Sequence, residues 1–285
     1  EEDGAIVATG CLEGRVLKYI AVAPSAEGTG AAATVVSELV SEAWREGIGH
    51  LFLYTKPENG RMFRSLGFYP VAQTDSVLMM EDKRDGIAKF LAAIPRREGA
   101  APVGACVMNC NPFTNGHRYL VETAAKACGL LYVFVVSEDA SLFPASVRLA
   151  LVQKGTADLS NVIVAESQDY LVSRATFPTY FIKERADLAH VQTDLDLAIF
   201  TQRIAPALNI TRRFVGTEPF CPVTRAYNAR MKELLPQAGI ELIEIERKDG
   251  ISASKVRALM QAGDLAGVRA LVPDTTYAYI KDHLG

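Results

Sequence analysis

Residues 103–117, VGACVMNCNPFTNGH, constrain this chain more than any other stretch: an apolar run stops at Asn111-Pro112-Phe113 and turns directly into Thr114-Asn115-Gly116-His117. Val103 to Met108 has the length and composition of a strand buried on both faces, and Tyr119, Leu120, Val121, Ala124 and Ala125 continue at helical spacing. The tetrapeptide is therefore expected at a strand-to-helix corner. Thr114 and His117 are three apart, so on a first helical turn they share a face beside unpaired N–H groups and the positive end of the helix dipole. An anion is expected there, and Gly116, lacking a Cβ, would let a phosphate approach the backbone.

A second corner has the same character. Ile240 to Ile245 reads as a strand, and after the charged loop Glu246 to Asp249 comes Gly250-Ile251-Ser252-Ala253-Ser254-Lys255-Val256-Arg257 with a helical pattern through Met260. Ser252 is a good N-cap. Lys255 and Arg257 near a helix start oppose the dipole unless an anion binds, and Ser254 and Arg257, three apart, offer a hydroxyl and a guanidinium to one point.

T-x-G-H after one strand and I-S-x-S-x-x-R after the last resemble the HxGH nucleotidyltransferase superfamily, with Thr in place of the first His. Two longer strings, SRATFPTYFIK (173–183) and FVGTEPFCPVT (214–224), resemble the citrate lyase ligase family within it, and the likeness runs from about residue 86 to the end of the chain. The resemblance implies an enzyme that uses ATP and acetate to acetylate the thiol of a dephospho-CoA-derived group on the acyl carrier subunit of citrate lyase, through acetyl-AMP, with release of AMP and pyrophosphate. It implies His117 and Thr114 as catalytic residues, and an ATP site of Asn111, Phe113, Gly116, Gly216, Thr217, Glu218, Ser252, Ser254 and Arg257. Imidazolium His117 is expected on the α-phosphate, Thr114 adding a hydroxyl bond, with Ser252, Ser254 and Arg257 on the β- and γ-phosphates. Mg²⁺ is expected mostly on phosphate oxygens and water; Asp139 and Glu218 are its candidate carboxylates.

The apolar runs at 103–109, 130–137, 162–165, 213–216 and 240–245 alternate with helical stretches, the pattern of a Rossmann-like parallel sheet covered on both faces. Ligands bind such sheets at the carboxyl ends of the strands where strand order switches. Neither G-x-G-x-x-G nor G-x-x-x-x-G-K-[ST] occurs at these corners, so neither a dinucleotide fingerprint nor a Walker loop is supported.

The front of the chain differs. Arg15 to Val22 is strand-like, Ser25-Ala26-Glu27-Gly28-Thr29-Gly30 is a glycine loop, Thr34 to Arg45 is helical and His50 to Tyr54 is again a strand. Order and wording resemble the second half of a GNAT acetyltransferase, which implies a CoA pyrophosphate on the helix start and hence Gly28 and Gly30 as contacts for the carrier's arm. Ser25 stands where that family has Arg or Gln, which weakens acetyl transfer by this part. The expected division is a partial GNAT-like α/β domain over 1–85 and a nucleotidyltransferase domain over 86–285, joined through a helix around Ile87 to Ile94 and a linker at 95–102.

Lys plus Arg number 30 against 33 Asp plus Glu, so no basic face for nucleic acid is expected. No apolar run reaches a membrane span and no signal peptide precedes Glu1, which points to the cytoplasm. Cys11, Cys106, Cys110, Cys128 and Cys221 form no CxxC and read as reduced thiols, and Cys110 has no evident base partner. Arg148 is open between a phosphate contact and a helix-surface cation; Arg174 and Lys183 between acetate or carrier contacts and packing. Thr193 with Asp196 suits an N-cap, and His50, His190 and His283 read as structural. Two other enzyme readings remain, a cofactor adenylyltransferase acting on a phosphorylated small molecule and a GNAT-type acetyltransferase, beside a non-catalytic nucleotide sensor.

Overall fold

The computed structural model describes residues 4–137, 141–171, 188–218, 221–248 and 250–284, and the chain divides into two compact units. The first comprises residues 1–92 and 176–203, the second 93–175 and 204–285.

In the first unit β1 (Ala8–Glu13), β2 (Val16–Val22), β3 (Phe52–Thr55), β4 (Tyr69–Gln73) and β5 (Leu78–Glu81) form one sheet in the order β1-β2-β3-β5-β4, accompanied by α1 (Ala31–Arg45), α2 (Gly60–Ser65) and α3 (Gly86–Ala93). The pairings are antiparallel except β2 with β3, which run parallel and pair only at Val16–Phe52 and Leu17–Leu53. Beyond those two residues a cavity opens, lined by Ile20 and Val22 on one side and Tyr54 and Thr55 on the other. Leu17, Val36, Ala43, Leu53, Phe63 and Met80 form the core beneath.

The second unit holds β6 (Val103–Met108), α4 (Asn115–Lys126), β7 (Leu130–Val135), α5 (Ala145–Gly155) and β8 (Val162–Glu166). Next in the chain comes α6 (Leu188–Ile199), which packs on β4 and so belongs to the first unit, where Gln202 donates to the Gln73 carbonyl (3.1 Å). The second unit resumes with α7 (Ala205–Leu208), β9 (Arg212–Gly216), α8 (Pro222–Leu234), β10 (Glu241–Ile245), α9 (Ala253–Gln261), α10 (Leu265–Leu271) and α11 (Asp274–Leu284). All five of its strands are parallel, in the order β10-β9-β6-β7-β8. β7 is buried at every position, as expected of a strand covered on both faces, and each Val, Leu or Phe placed there contributes about 1.5–3 kcal/mol. The strand order reverses between β6 and β9, so the crevice lies at their carboxyl ends.

The five parallel strands fall where apolar runs predict them. Two expectations differ. The units are not contiguous ranges split at 85: the first runs on to Ala92 and takes in α6, which packs on β4. Thr193 and Asp196 lie inside α6, not at its start.

Candidate active site

Thr114 is the N-cap of α4, and its extended backbone (φ −115°, ψ 167°) starts the helix at the corner after β6. Its hydroxyl oxygen accepts from the His117 N–H (3.3 Å), while the Thr114 N–H donates to His117 Nδ1 (3.1 Å), a reciprocal capping box. A nitrogen that accepts this bond carries no proton, so His117 is the Nε2–H tautomer. Burial first, and the Arg247 charge second, push its imidazole down to about 4. An imidazolium was expected; in the protein itself the ring is a neutral donor, because protonating Nδ1 would break the cap. Thr114 is 1% exposed and its hydroxyl serves His117, so it orients the imidazole instead of reaching outward.

The second corner is built alike. Ser252 caps α9, its Oγ accepting from the Lys255 N–H (3.2 Å) and lying 3.0 Å from Ser254 Oγ. The corners meet directly: Arg257 Nη1 donates to the Asn111 carbonyl (2.6 Å), and a Cβ placed on Gly116 would stand 3.3 Å from the Ile251 carbonyl. The missing side chain of Gly116 thus admits the opposite corner's backbone.

Together they wall a cleft of about 520 Å³ at the carboxyl ends of β6, β9 and β10, lined by Thr114, Gly116, His117, Gly216, Glu218, Ser252, Ser254 and Arg257. Asn111 and Phe113 do not line it. Phe113 is fully buried, stacked beneath the His117 ring (centroids 6.0 Å, 12° apart) and pressed against Gly155, where a Cβ would come within 2.5 Å. Asn111 holds its own loop, its Oδ1 accepting from the Phe143 N–H (3.2 Å). Thr217 bridges strand ends, its N–H donating to the Ile245 carbonyl (3.0 Å) and its Oγ1 accepting from the Arg247 N–H (3.2 Å).

Glu218, a candidate metal ligand, holds the Arg247 guanidinium with one oxygen and accepts the Cys221 N–H with the other (3.0 Å). Asp139, Arg174 and Lys183 lie outside the described residues. Arg148 is neither a phosphate contact nor a surface cation. It is wholly buried and donates to the carbonyls of Asn109 and Val136, just past the ends of β6 and β7, and of Phe143 before α5. Lys255 is exposed outside the cleft, whereas Arg247, Lys248, Tyr119 and Asn228 line it, none of them marked as a site residue by the sequence. Arg247 and Lys248 sit in a short charged loop that reads as solvated; only the pairing of β10 with β9 brings it over the crevice.

All five cysteines are free thiols. Burial pushes the Cys110 thiol far above its ordinary value and Cys106 up to about 12, leaving both inert, while the Thr224 hydroxyl draws exposed Cys221 lower. His50 pairs with Glu81 (2.8 Å) and His283 stacks on Tyr279 (4.2 Å), structural roles as expected. No helix among the described residues is long and apolar enough to cross a membrane.

The citrate lyase ligase C-terminal domain family matches residues 103–280. Over 99% of its length the chain is 43% identical to the citrate pro-3S-lyase ligase of Escherichia coli strain K12, covering 83% of that protein. The chain belongs to the citrate lyase ligase family. The same enzyme of Haemophilus influenzae is 40% identical over 97% of the chain and 86% of its own length. Thermotoga maritima TmcAL, solved with alpha-thio ATP bound, aligns over 63% of this chain and 55% of its own at 15% identity, TM-score 0.39. The family match spans β6 to α11 and so includes both capped corners of this ligase and the cleft between them.

Near Gly28 and Gly30 the front unit has its own cavity, about 690 Å³, lined by both glycines, Ala31, Ala32, Ala33, Ile20, Leu53, Met62 and Lys56. Both glycines have left-handed backbones (φ 77° and 91°), so the turn itself requires them. The start of α1 behind Gly30 has no side-chain cap and no acidic residue in its first turn.

Proposed function

We propose that this ligase adenylylates acetate in the cleft of the second unit and passes the acetyl group to a carrier thiol. The meeting of two capped helix starts, at His117 and at Ser252–Arg257, in one cleft at the strand-order switch carries this reading. An acetate oxygen attacks the α-phosphorus of ATP, the bond to the β-phosphate breaks, and pyrophosphate departs. The carrier thiolate then attacks the acyl carbon of acetyl-AMP and AMP leaves, the thiol proton passing to solvent. Charge grows on phosphoryl oxygens in the first step, so positioned donors serve better than a protein nucleophile. His117 supplies a neutral Nε2–H to the α-phosphate, Thr114 fixes its tautomer, and Ser252, Ser254 and Arg257 hold the outer phosphates.

The donor set suits Mg²⁺ carried by the nucleotide. Among the described residues no three His, Cys, Asp or Glu side chains cluster as ligands, and Glu246 is the exposed carboxylate on the cleft wall that could take it through water. When bound, the ion would neutralise phosphate charge. In the front unit, the cavity beside the uncapped start of α1 suits the pyrophosphate and apolar arm of a CoA-derived group, the carrier's prosthetic arm.

The test is pyrophosphate release from ATP with acetate, nicotinamide mononucleotide, phosphopantetheine or no second substrate. Release that needs acetate is expected. His117→Ala should lose most of it while staying folded, about 10²–10³-fold for one lost transition-state donor. Release driven by either phosphorylated compound makes the protein a cofactor adenylyltransferase, and none with any partner leaves a nucleotide sensor.

A further inference from the structure

We propose that Arg247 is the cation that receives the reacting phosphate of the nucleotide, held in aim by Glu218; the proposal rests on the ATP reading above. Arg247 enters the cleft from the loop after β10 and is fixed there at three points. Its N–H donates to Thr217 Oγ1 (3.2 Å), its Nε to the Thr217 carbonyl (2.8 Å) and its Nη2 to a Glu218 oxygen. The Glu218 side chain is 5% exposed and that of Arg247 29%, so the anchor is buried while the guanidinium keeps surface in the cleft. Among the described residues Nη1 makes no hydrogen bond. A planar guanidinium pinned through Nε and Nη2 has its remaining N–H pair fixed in direction, which favours a phosphate oxygen over a mobile ion.

Glu218 pairs with this charge, and its own negative charge is shared with a helix start. Its second oxygen is engaged by the Cys221 N–H at the start of α8, where the helix dipole is positive. Of the other cations at the wall, Lys248 Nζ lies over the Tyr119 ring at 5.8 Å, and Arg257, anchored through Nη1 to the Asn111 carbonyl, is the one given to the outer phosphates above. Arg247 thus provides, beside neutral His117, the positive charge that the imidazole lacks.

Equilibrium binding of ATP and of adenosine to the full chain tests this, by calorimetry on the unaltered protein, Arg247→Met and Arg247→Lys. Expected is at least about a tenfold loss of ATP affinity in Arg247→Met with adenosine unchanged, the size of a lost charge-assisted hydrogen bond. Arg247→Lys, which keeps charge without the fork, should fall between. It also carries the test if the Met variant is recovered unfolded. Equal weakening of both ligands, or of neither, overturns the proposal. An unaltered protein that binds adenosine and ATP equally, or neither, sinks the ATP reading itself.

Discussion

At the scale of single residues, the decisive detail is which nitrogen of His117 bears the proton. Thr114 donates to Nδ1, and burial with the Arg247 charge keeps the ring neutral. Imidazole ¹⁵N spectra are expected to show the Nε2–H tautomer throughout pH 5–8, with titration near 4; a midpoint near 6.5 would sink the assignment. The sign for stability follows. A folded-state value below the ordinary 6.5 means that only the unfolded chain takes up the proton as pH falls, so His117 costs stability progressively from pH 6.5 towards 4. The urea midpoint of His117→Gln should therefore decline less over that window than that of the unaltered protein. The identity of this residue was legible in the sequence, and its charge was not: spacing places an imidazole near an anion, but only coordinates reveal the N–H that claims its other nitrogen.

At the scale of elements, the corner after β6 is supported from below. The Phe113 ring fills the space a Gly155 side chain would need, and the same ring carries His117. Gly155→Ala should cost about 1–3 kcal/mol as overpacking, read from urea unfolding, and should lower acetate-dependent turnover as Phe113 shifts. A stability change near zero would show that the end of α5 yields instead. Elements of this kind were the most readable part of the chain, because five apolar runs and the Ser252 N-cap announce themselves locally. Phe113 and Asn111, expected at the ligand, turn their side chains away from the cleft for the same reason: adjacency to a motif in sequence says nothing about which side of a corner a side chain takes. Arg148 shows the converse, a charge buried to satisfy three carbonyls, which no local pattern signals.

For the whole molecule, two compact units each hold a cavity of their own. A division of labour is testable without disturbing the glycine turn, whose left-handed residues resist substitution. Ala32→Phe, filling the front cavity, is expected to raise the KM for the holo carrier several-fold while acetate-dependent pyrophosphate release stays unchanged; an unaltered KM would remove the front cavity from carrier binding. The allotment of α6 to the front unit could not be read from sequence, since helical periodicity tells a segment to bury a face and not which sheet to bury it on.

The bond from Arg257 to the main-chain carbonyl of Asn111 spans 146 positions. Because its acceptor is backbone, no change of side chain at 111 abolishes it, and the path of the first loop is partly dictated by a residue on a much later helix. A nascent chain still short of α9 therefore has the histidine but not the shape around it, and nucleotide capture should switch on only once α9 has emerged.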